Sequence, residues 1–222
     1  IEVKLQQLET QFAFSWSWKL LLDNNWHLNW KDNFKPISIS QKIIVVPSWD
    51  NVTSADIIVK IEPGRAFGTG HHQTTFMAIQ TLEKLIKNGS SVLDLGSGSG
   101  ILAIASKLLG AGRVDAVELD NDCLENFKKN LEYNNLTGAV NYFDMDVLDW
   151  EDFHYDIIVI NINCNTILEI LPNLTKSPAI ILITGLLKTD KNKIYESCKN
   201  LSFIIKNFQS MDEWIALEIT NV

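Results

Sequence analysis

The sequence predicts a doubly wound α/β fold: a mostly parallel seven-stranded sheet with one antiparallel strand and helices on both faces. Three observations carry this. From about residue 76 onward, short apolar runs alternate with helix-length segments, the pattern of a parallel sheet covered on both sides. Asp94-Leu95-Gly96-Ser97-Gly98-Ser99-Gly100 stands where the first of these runs gives way to a helix, the usual place for a ligand crevice in such a sheet. The last two apolar runs are joined by a link too short for a crossover helix, so one of them must run antiparallel.

The elements follow in order. Phe12-Ala13-Phe14-Ser15-Trp16-Ser17-Trp18 alternates aromatic with small residues and reads as a half-buried strand, its aromatic stripe serving as core rather than as a ligand platform. The Asn-rich residues 23–33 read as a turn or short helix, and residues 42–46 as an extended piece stopped by Pro47. Residues 1–60 are therefore expected to form an N-terminal remnant and linker with short strands, and residues 61–222 the main domain. A helix over 76–87 brings Ala78, Leu82, Leu85 and Ile86 near one face. Next come a strand at 91–95, an apolar helix at 101–109, a strand at 114–118 and a helix at 122–134. Strands at 139–143 and 156–160, a helix at 167–174 and an apolar strand at 179–184 continue the alternation. A helix at 191–200 and strands at 203–208 and 214–219 complete it.

The composition narrows the function. Of 222 residues, 46% are apolar and 21% charged, which supplies an ordinary packed core. The net charge of −8 falls entirely in residues 61–222, and residues 115–156 hold twelve acids against Lys128 and Lys129. Such a surface excludes a phosphate-tracking binder of duplex DNA and suits a small ligand or a basic partner. Cys123, Cys164 and Cys198 show neither a CxxC pair nor zinc spacing and read as buried thiols of a reducing compartment. No apolar run exceeds the five of residues 179–183, far too few to span a membrane, and the cytoplasm is the default location. A first residue of Ile1 rather than Met points to a fragment or a processed product.

The glycine loop selects among ligands. A nicotinamide fingerprint needs G-x-G-x-x-G, and after Gly96 and Gly98 that spacing falls on Ile101. Asp94 would repel a pyrophosphate but welcome a cationic ligand without phosphate, and S-adenosylmethionine, with its ammonium and sulfonium charges, fits. Glu118 ends the next strand, twenty-two residues after Gly96, where a carboxylate accepts bonds from ribose hydroxyls. An acid there could also serve a helix start, a role that Asp120 and Asp122 fill better. Asp146 either bonds the adenine amino group or belongs to a solvated acidic loop. Upstream, Gly64-Arg65-Ala66-Phe67-Gly68-Thr69-Gly70-His71-His72-Gln73-Thr74-Thr75 is a second glycine-rich segment leading into a helix. Thr74 or Thr75 suits capping and the donation of a hydroxyl to a ligand carboxylate. His71 and His72 point apart and have no third ligand at metal spacing, so they read as a lid or wall over the cofactor, with no metal. Asn161, in Asn161-Ile162-Asn163, can accept from a substrate amine and aim its lone pair at a methyl group, or it can simply form the turn at the strand end. No histidine–carboxylate pair marks a general base.

These residues resemble the PrmA family, the ribosomal protein L-eleven methyltransferases. The matching segments are Trp30-Lys31-Asp32-Asn33-Phe34-Lys35-Pro36, Val46-Pro47-Ser48-Trp49, Glu62-Pro63-Gly64-Arg65-Ala66-Phe67-Gly68-Thr69-Gly70 with Thr74-Thr75, residues 94–105, Asn161-Ile162 and Glu213-Trp214-Ile215-Ala216-Leu217. The resemblance covers residues 26–222 and implies a class I, Rossmann-like methyltransferase domain. It implies transfer of a methyl group from S-adenosylmethionine to a lysine side chain or N-terminal amine of a basic ribosomal protein. It places Thr75, Gly96, Glu118 and Asn161 on cofactor-contact positions. His71-His72-Gln73 stands where the family shows Thr-His-Pro, and Glu118 where it often has aspartate. Only 25 residues precede Trp26, below the roughly 40 that a separate recognition domain needs. Rival readings are a methyltransferase for another protein lysine or a small amine, and a non-catalytic binding module of the same fold.

Overall fold

The computed structural model describes residues 34–63 and 72–221, together with Leu5, Leu8, Glu9, Phe12, Ser15 and Ser17. Two compact units are present, residues 1–33 and 34–222. In the first, Leu8 and Glu9 are helical and the Phe12 N–H donates to the Leu8 carbonyl at 2.9 Å. The expected strand over the aromatic stripe lies mostly outside the described residues. Its described members differ from that expectation: Phe12 sits in a bend and is 62% exposed, and Ser15 and Ser17 belong to neither helix nor strand. The Asn-rich turn at 23–33 lies outside the described residues.

The second unit opens with a small sheet of β1 (Ile37–Ser38), β2 (Ile43–Pro47) and β3 (Ile57–Ile61), in that order. Only β2 was legible in the sequence. β2 and β3 run parallel although no helix joins them. Nine connecting residues can span ~30 Å, enough to return along a strand of ~17 Å without a crossover helix.

The larger sheet is built from β4 (Ser91–Leu95), β5 (Arg113–Glu118), β6 (Asn141–Asp144), β7 (Ile157–Asn161), β8 (Ile180–Leu187), β9 (Ile204–Met211) and β10 (Trp214–Thr220). Their spatial order is β6-β5-β4-β7-β8-β10-β9. β10 is antiparallel to both of its neighbours and the other pairs are parallel, as the short final link requires. The helices are α1 (Gln73–Leu85), α2 (Ile101–Leu108), α3 (Asn121–Tyr133), α4 (Cys164–Ile170) and α5 (Lys191–Asn200). The central strands are runs of β-branched residues, such as Ile157-Ile158-Val159-Ile160, buried on both faces. One face packs Val92, Val114, Ala116, Val159 and Leu182 against α1, α2, α3 and the small sheet. The other packs Leu93, Leu95, Val117, Ile158 and Ile160 against α4 and α5.

Most element boundaries shift by one to three residues from the sequence reading, and two of the differences have a clear physical reason. α1 starts at Gln73 rather than 76 because His72 caps it, its ring accepting from the Thr74 N–H, so Thr74 and Thr75 lie inside the first turn and neither is the cap. The helix expected over 167–174 is instead α4 followed by a 3-10 segment, Leu171–Lys176. Pro172, which has no N–H and crowds the preceding turn, ends the α-helical pattern there.

Candidate functional site

A cleft of about 500 Å³ opens at the carboxyl ends of β4, β5 and β7, beside the point where the strand order reverses. It is lined by Gly96, Gly98, Glu118, Asp120, Cys123, Asn161, Ile162, Asn163, Gly185, His72 and Trp214.

Its floor is the glycine loop. The N–H groups of Gly96 and Ser97 both donate to the Val117 carbonyl, at 2.9 and 3.0 Å, folding the loop over the end of β5. Gly96 has φ +78°, and a Cβ there would meet the Ile162 methyl at 2.2 Å. Across the same residue, a Cβ on Gly185 (φ +81°) would fall 2.2 Å from the Ile162 carbonyl oxygen. The segment after β7 is thus gripped between two glycines, and this fixes the neighbouring Asn161.

Glu118 closes the loop from the side. One carboxylate oxygen accepts from the Gly98 N–H at 2.9 Å and the other from the Asp120 N–H at 2.9 Å. Each oxygen keeps a second acceptor position for a ligand hydroxyl. Asp120 caps α3 by accepting from the Asp122 N–H, so the helix-start role belongs to Asp120 rather than Glu118. Asn161, the last residue of β7, is 8% exposed, and its Oδ1 has no hydrogen-bond partner.

Of the residues singled out in the sequence, Gly96, Gly98, Glu118 and Asn161 converge on the cleft. Three others stand behind it or apart from its lining. Asp94 is wholly buried under the loop, its Oδ2 accepting from the Ala103 N–H at 3.1 Å in the first turn of α2. Burial pushes its carboxyl up to about 7, against the pull of the Ala103 N–H and with a further rise from the Glu118 charge. Thr75 is wholly buried in the first turn of α1. Asp146 caps the 3-10 turn Val147–Asp149, accepting from the Leu148 N–H at 2.9 Å.

The remaining wall comes from His72 and Trp214, whose rings meet edge to face with centroids 4.4 Å apart. The Gln73 amide donates to Asp212 at 2.9 Å and ties the β9–β10 turn to the start of α1. Burial lowers the pKa of His72, against the opposing charge of Glu213. Its Nδ1 lies 2.7 Å from the Thr74 hydroxyl and 3.4 Å from the Thr74 N–H. His72 is a wall of the cleft, as read from the sequence; His71 lies outside the described residues. Trp214, Gly185 and Cys123 were not anticipated as lining. Gly185 had a signal, since a glycine directly after the apolar run of β8 marks a close backbone approach. Trp214 had none, because only the docking of β10 brings it here.

Five buried side-chain polar atoms among the described residues lack a partner: Thr75 Oγ1, Asp94 Oδ1, Ser97 Oγ, Tyr142 Oη and Asn161 Oδ1. Four of them lie on the β4 end, the glycine loop, the β7 end and the first turn of α1. Only Asn161 of these lines the cleft itself; buried polar groups are nearly always bonded, so unpartnered ones on the elements that border it make it a candidate ligand site.

The sheet order, the single antiparallel strand and a cleft floored by a glycine loop define the class I methyltransferase fold. The family model described as ribosomal protein L11 methyltransferase (PrmA) matches residues 2–221, and the chain belongs to that family. The ribosomal protein L11 methyltransferase of Anoxybacillus flavithermus is 37% identical over 200 residues, covering 87% of this chain. The chain spans just under two thirds of that relative, 64% of its length. The Dictyoglomus turgidum protein of the same name is 32% identical over 226 residues, covering all of this chain and 75% of its own. The crystal structure of a ribosomal protein L11 methylase from Lactobacillus delbrueckii subsp. bulgaricus superposes with a TM-score of 0.78 at 29% identity, over 85% of this chain and 99% of that one. No helix among the described residues is long and apolar enough to cross a membrane.

Proposed function

We propose that this chain is an S-adenosylmethionine-dependent N-methyltransferase that modifies amine nitrogens of a basic protein of the large ribosomal subunit, L11 or one like it, in the cytoplasm. The observation that carries this reading is the convergence of Gly96, Gly98, Glu118 and Asn161 on one cleft, with the Asn161 Oδ1 buried and unpartnered.

The residues fit the cofactor. Glu118 would accept from the ribose hydroxyls. Thr75 Oγ1 and Ser97 Oγ are hydroxyls without partners, suited to the polar end of an amino acid. Asp94 would supply negative charge beneath the ammonium, and Asp146 stands at the β6 end, where adenine would lie. When bound, S-adenosylmethionine supplies an electrophilic methyl on a sulfonium.

The chain's own part is to hold an amine neutral and aligned. A lysine amine has a pKa near ~10.4, so keeping it neutral at pH 7 costs roughly 4.6 kcal/mol in water. Both described carboxylates of the cleft, Glu118 and Asp120, stand at the β5 end. The opposite wall, His72, Asn161, Asn163, Gly185 and Trp214, is uncharged with His72 neutral, and an uncharged wall does not favour an ammonium over an amine. Asn161 Oδ1 accepts from the amine and directs its lone pair, and such positioning supplies much of the rate of a displacement. The acids of residues 115–156 favour a basic partner, so the substrate KM is expected to rise with salt while cofactor affinity stays fixed.

Labelled methyl transfer onto purified ribosomal proteins, read by mass spectrometry, tests the proposal. Label on L11 lysines or its N-terminus, lost in Asn161→Ala, is expected. Label only on another protein or a small amine would redirect the substrate assignment, and cofactor binding without any transfer would leave a binding module.

A further inference from the structure

β3 is an edge strand, paired only with β2. Its open edge is covered by side chains of α3. The Asn134 amide accepts from the Lys60 N–H at 2.9 Å and donates to the Lys60 carbonyl at 2.7 Å. Asn130 Oδ1 accepts from the Glu62 N–H at 2.7 Å, and Asn126 Nδ2 donates to the Glu62 carbonyl at 3.0 Å. Asparagines at i, i+4 and i+8 recur every ~6 Å along a helix, close to the ~6.7 Å two-residue repeat of a strand. One helix face therefore stands in for a missing strand, because a side-chain amide offers the same donor and acceptor as a peptide group.

Asn130 does more than its neighbours in this ladder. It is wholly buried, and its Nδ2 donates to the Ser99 carbonyl at 2.8 Å. Ser99 lies between Gly98, whose N–H is bound by Glu118, and Gly100, the N-cap of α2. Glu62 in turn leads through Pro63 into residues 64–71, the second glycine-rich segment. One amide thus joins the exit of β3 to the glycine loop.

We propose that Asn130 is a positioning residue for cofactor binding, holding residues 98–100 of the glycine loop in register with the end of β3, whereas Asn134 serves stability alone. The proposal rests on the cofactor reading above. Without the bond to the Ser99 carbonyl, the loop that must meet the ligand loses the support that reaches it from α3 and the end of β3.

Calorimetric titration of S-adenosylmethionine into wild type, Asn130→Ala and Asn134→Ala tests it, with Tm recorded for each. Asn130→Ala is expected to weaken affinity about tenfold, the loss of roughly one hydrogen bond. Asn134→Ala is expected to stay within about twofold of wild type although its Tm falls too. Amide exchange at Gly98 and Gly100 in the ligand-free protein is expected to quicken in Asn130→Ala and not in Asn134→Ala. If Asn130→Ala does not fold, Asn130→Ser, too short to reach both Glu62 and Ser99, carries the same expectation. Wild-type affinity in the Asn130 variant, or an equal loss in Asn134→Ala, overturns the proposal. Absence of binding to wild type overturns the cofactor reading itself, and this proposal with it.

Discussion

Two wholly buried aspartates lie on adjacent strands of the large sheet, Asp94 on β4 and Asp115 on β5, and they are treated in opposite ways. Asp115 is saturated. Arg113 donates from Nε at 2.8 Å and holds Nη2 2.6 Å away as an ion pair, the Tyr155 hydroxyl donates at 2.6 Å and the Asn141 amide at 2.7 Å. Asp94 has the single bond from Ala103, and one oxygen without a partner. The register pairs Asp115 with Leu93, so the two carboxyls face opposite sides of the sheet. A buried charge costs several kcal/mol unless it is paired and bonded. The Asp115 network meets that cost for the fold, whereas at Asp94 the cost stands uncompensated and shows as a raised pKa. The sheet thus carries a structural acid on one face and, on the other, an acid with an unpartnered oxygen, the one proposed above for the ligand.

Breaking the saturated side has the largest effect. Asp115→Asn removes the charge facing Arg113 and leaves the buried Tyr155 hydroxyl and the exposed Asn141 amide competing for one amide oxygen. About 3 kcal/mol of stability is expected to go, a fall in Tm of roughly 6–12 °C by calorimetry. Cofactor affinity of the folded protein is expected to be unchanged.

Glu118→Ala comes next. It removes the acceptor for the Gly98 and Asp120 N–H groups and the proposed ribose contact, and affinity for S-adenosylmethionine is expected to fall at least tenfold in a titration. An equal affinity would sink the ribose assignment.

Asp94→Asn sharpens the contrast through pH. The carboxyl titrates near 7 when folded and near ~3.9 when unfolded, so between these values the folded state holds more protons. Stability therefore falls as pH rises from about 4 to about 7 and is level above that. Asp94→Asn is expected to flatten this dependence and to melt several degrees higher than wild type at pH 8, with little gain near pH 4. The smallest effect is at Thr75→Val. Replacing an unpartnered buried hydroxyl by a methyl group is expected to raise stability by about 0.5 kcal/mol while weakening cofactor binding about threefold.

Much of this could be read along the chain. β4 and α5 have the bounds that apolar periodicity gives them, and Gly96, Gly98, Glu118 and Asn161 meet where a doubly wound sheet puts its ligands. What was illegible depends on long-range approach. β3 is five residues with an unusual helix-free parallel return, and Trp214 reaches the cleft only when the β9–β10 turn docks on Gln73. Asn126, Asn130 and Asn134 read as an ordinary polar helix face until β3 is laid along them. Asp94 and Asp115 look alike in sequence, each an acid inside an apolar strand, and only their partners separate them.

The account turns on that separation, and one paired experiment tests it most directly: titrating S-adenosylmethionine into Asp94→Asn and Asp115→Asn at pH 8, with the Tm of each. The account predicts that Asp94→Asn binds about tenfold more weakly than wild type with an undiminished Tm, and that Asp115→Asn binds as wild type with a markedly lower one. Full affinity in Asp94→Asn, or a loss of affinity in folded Asp115→Asn, would contradict it.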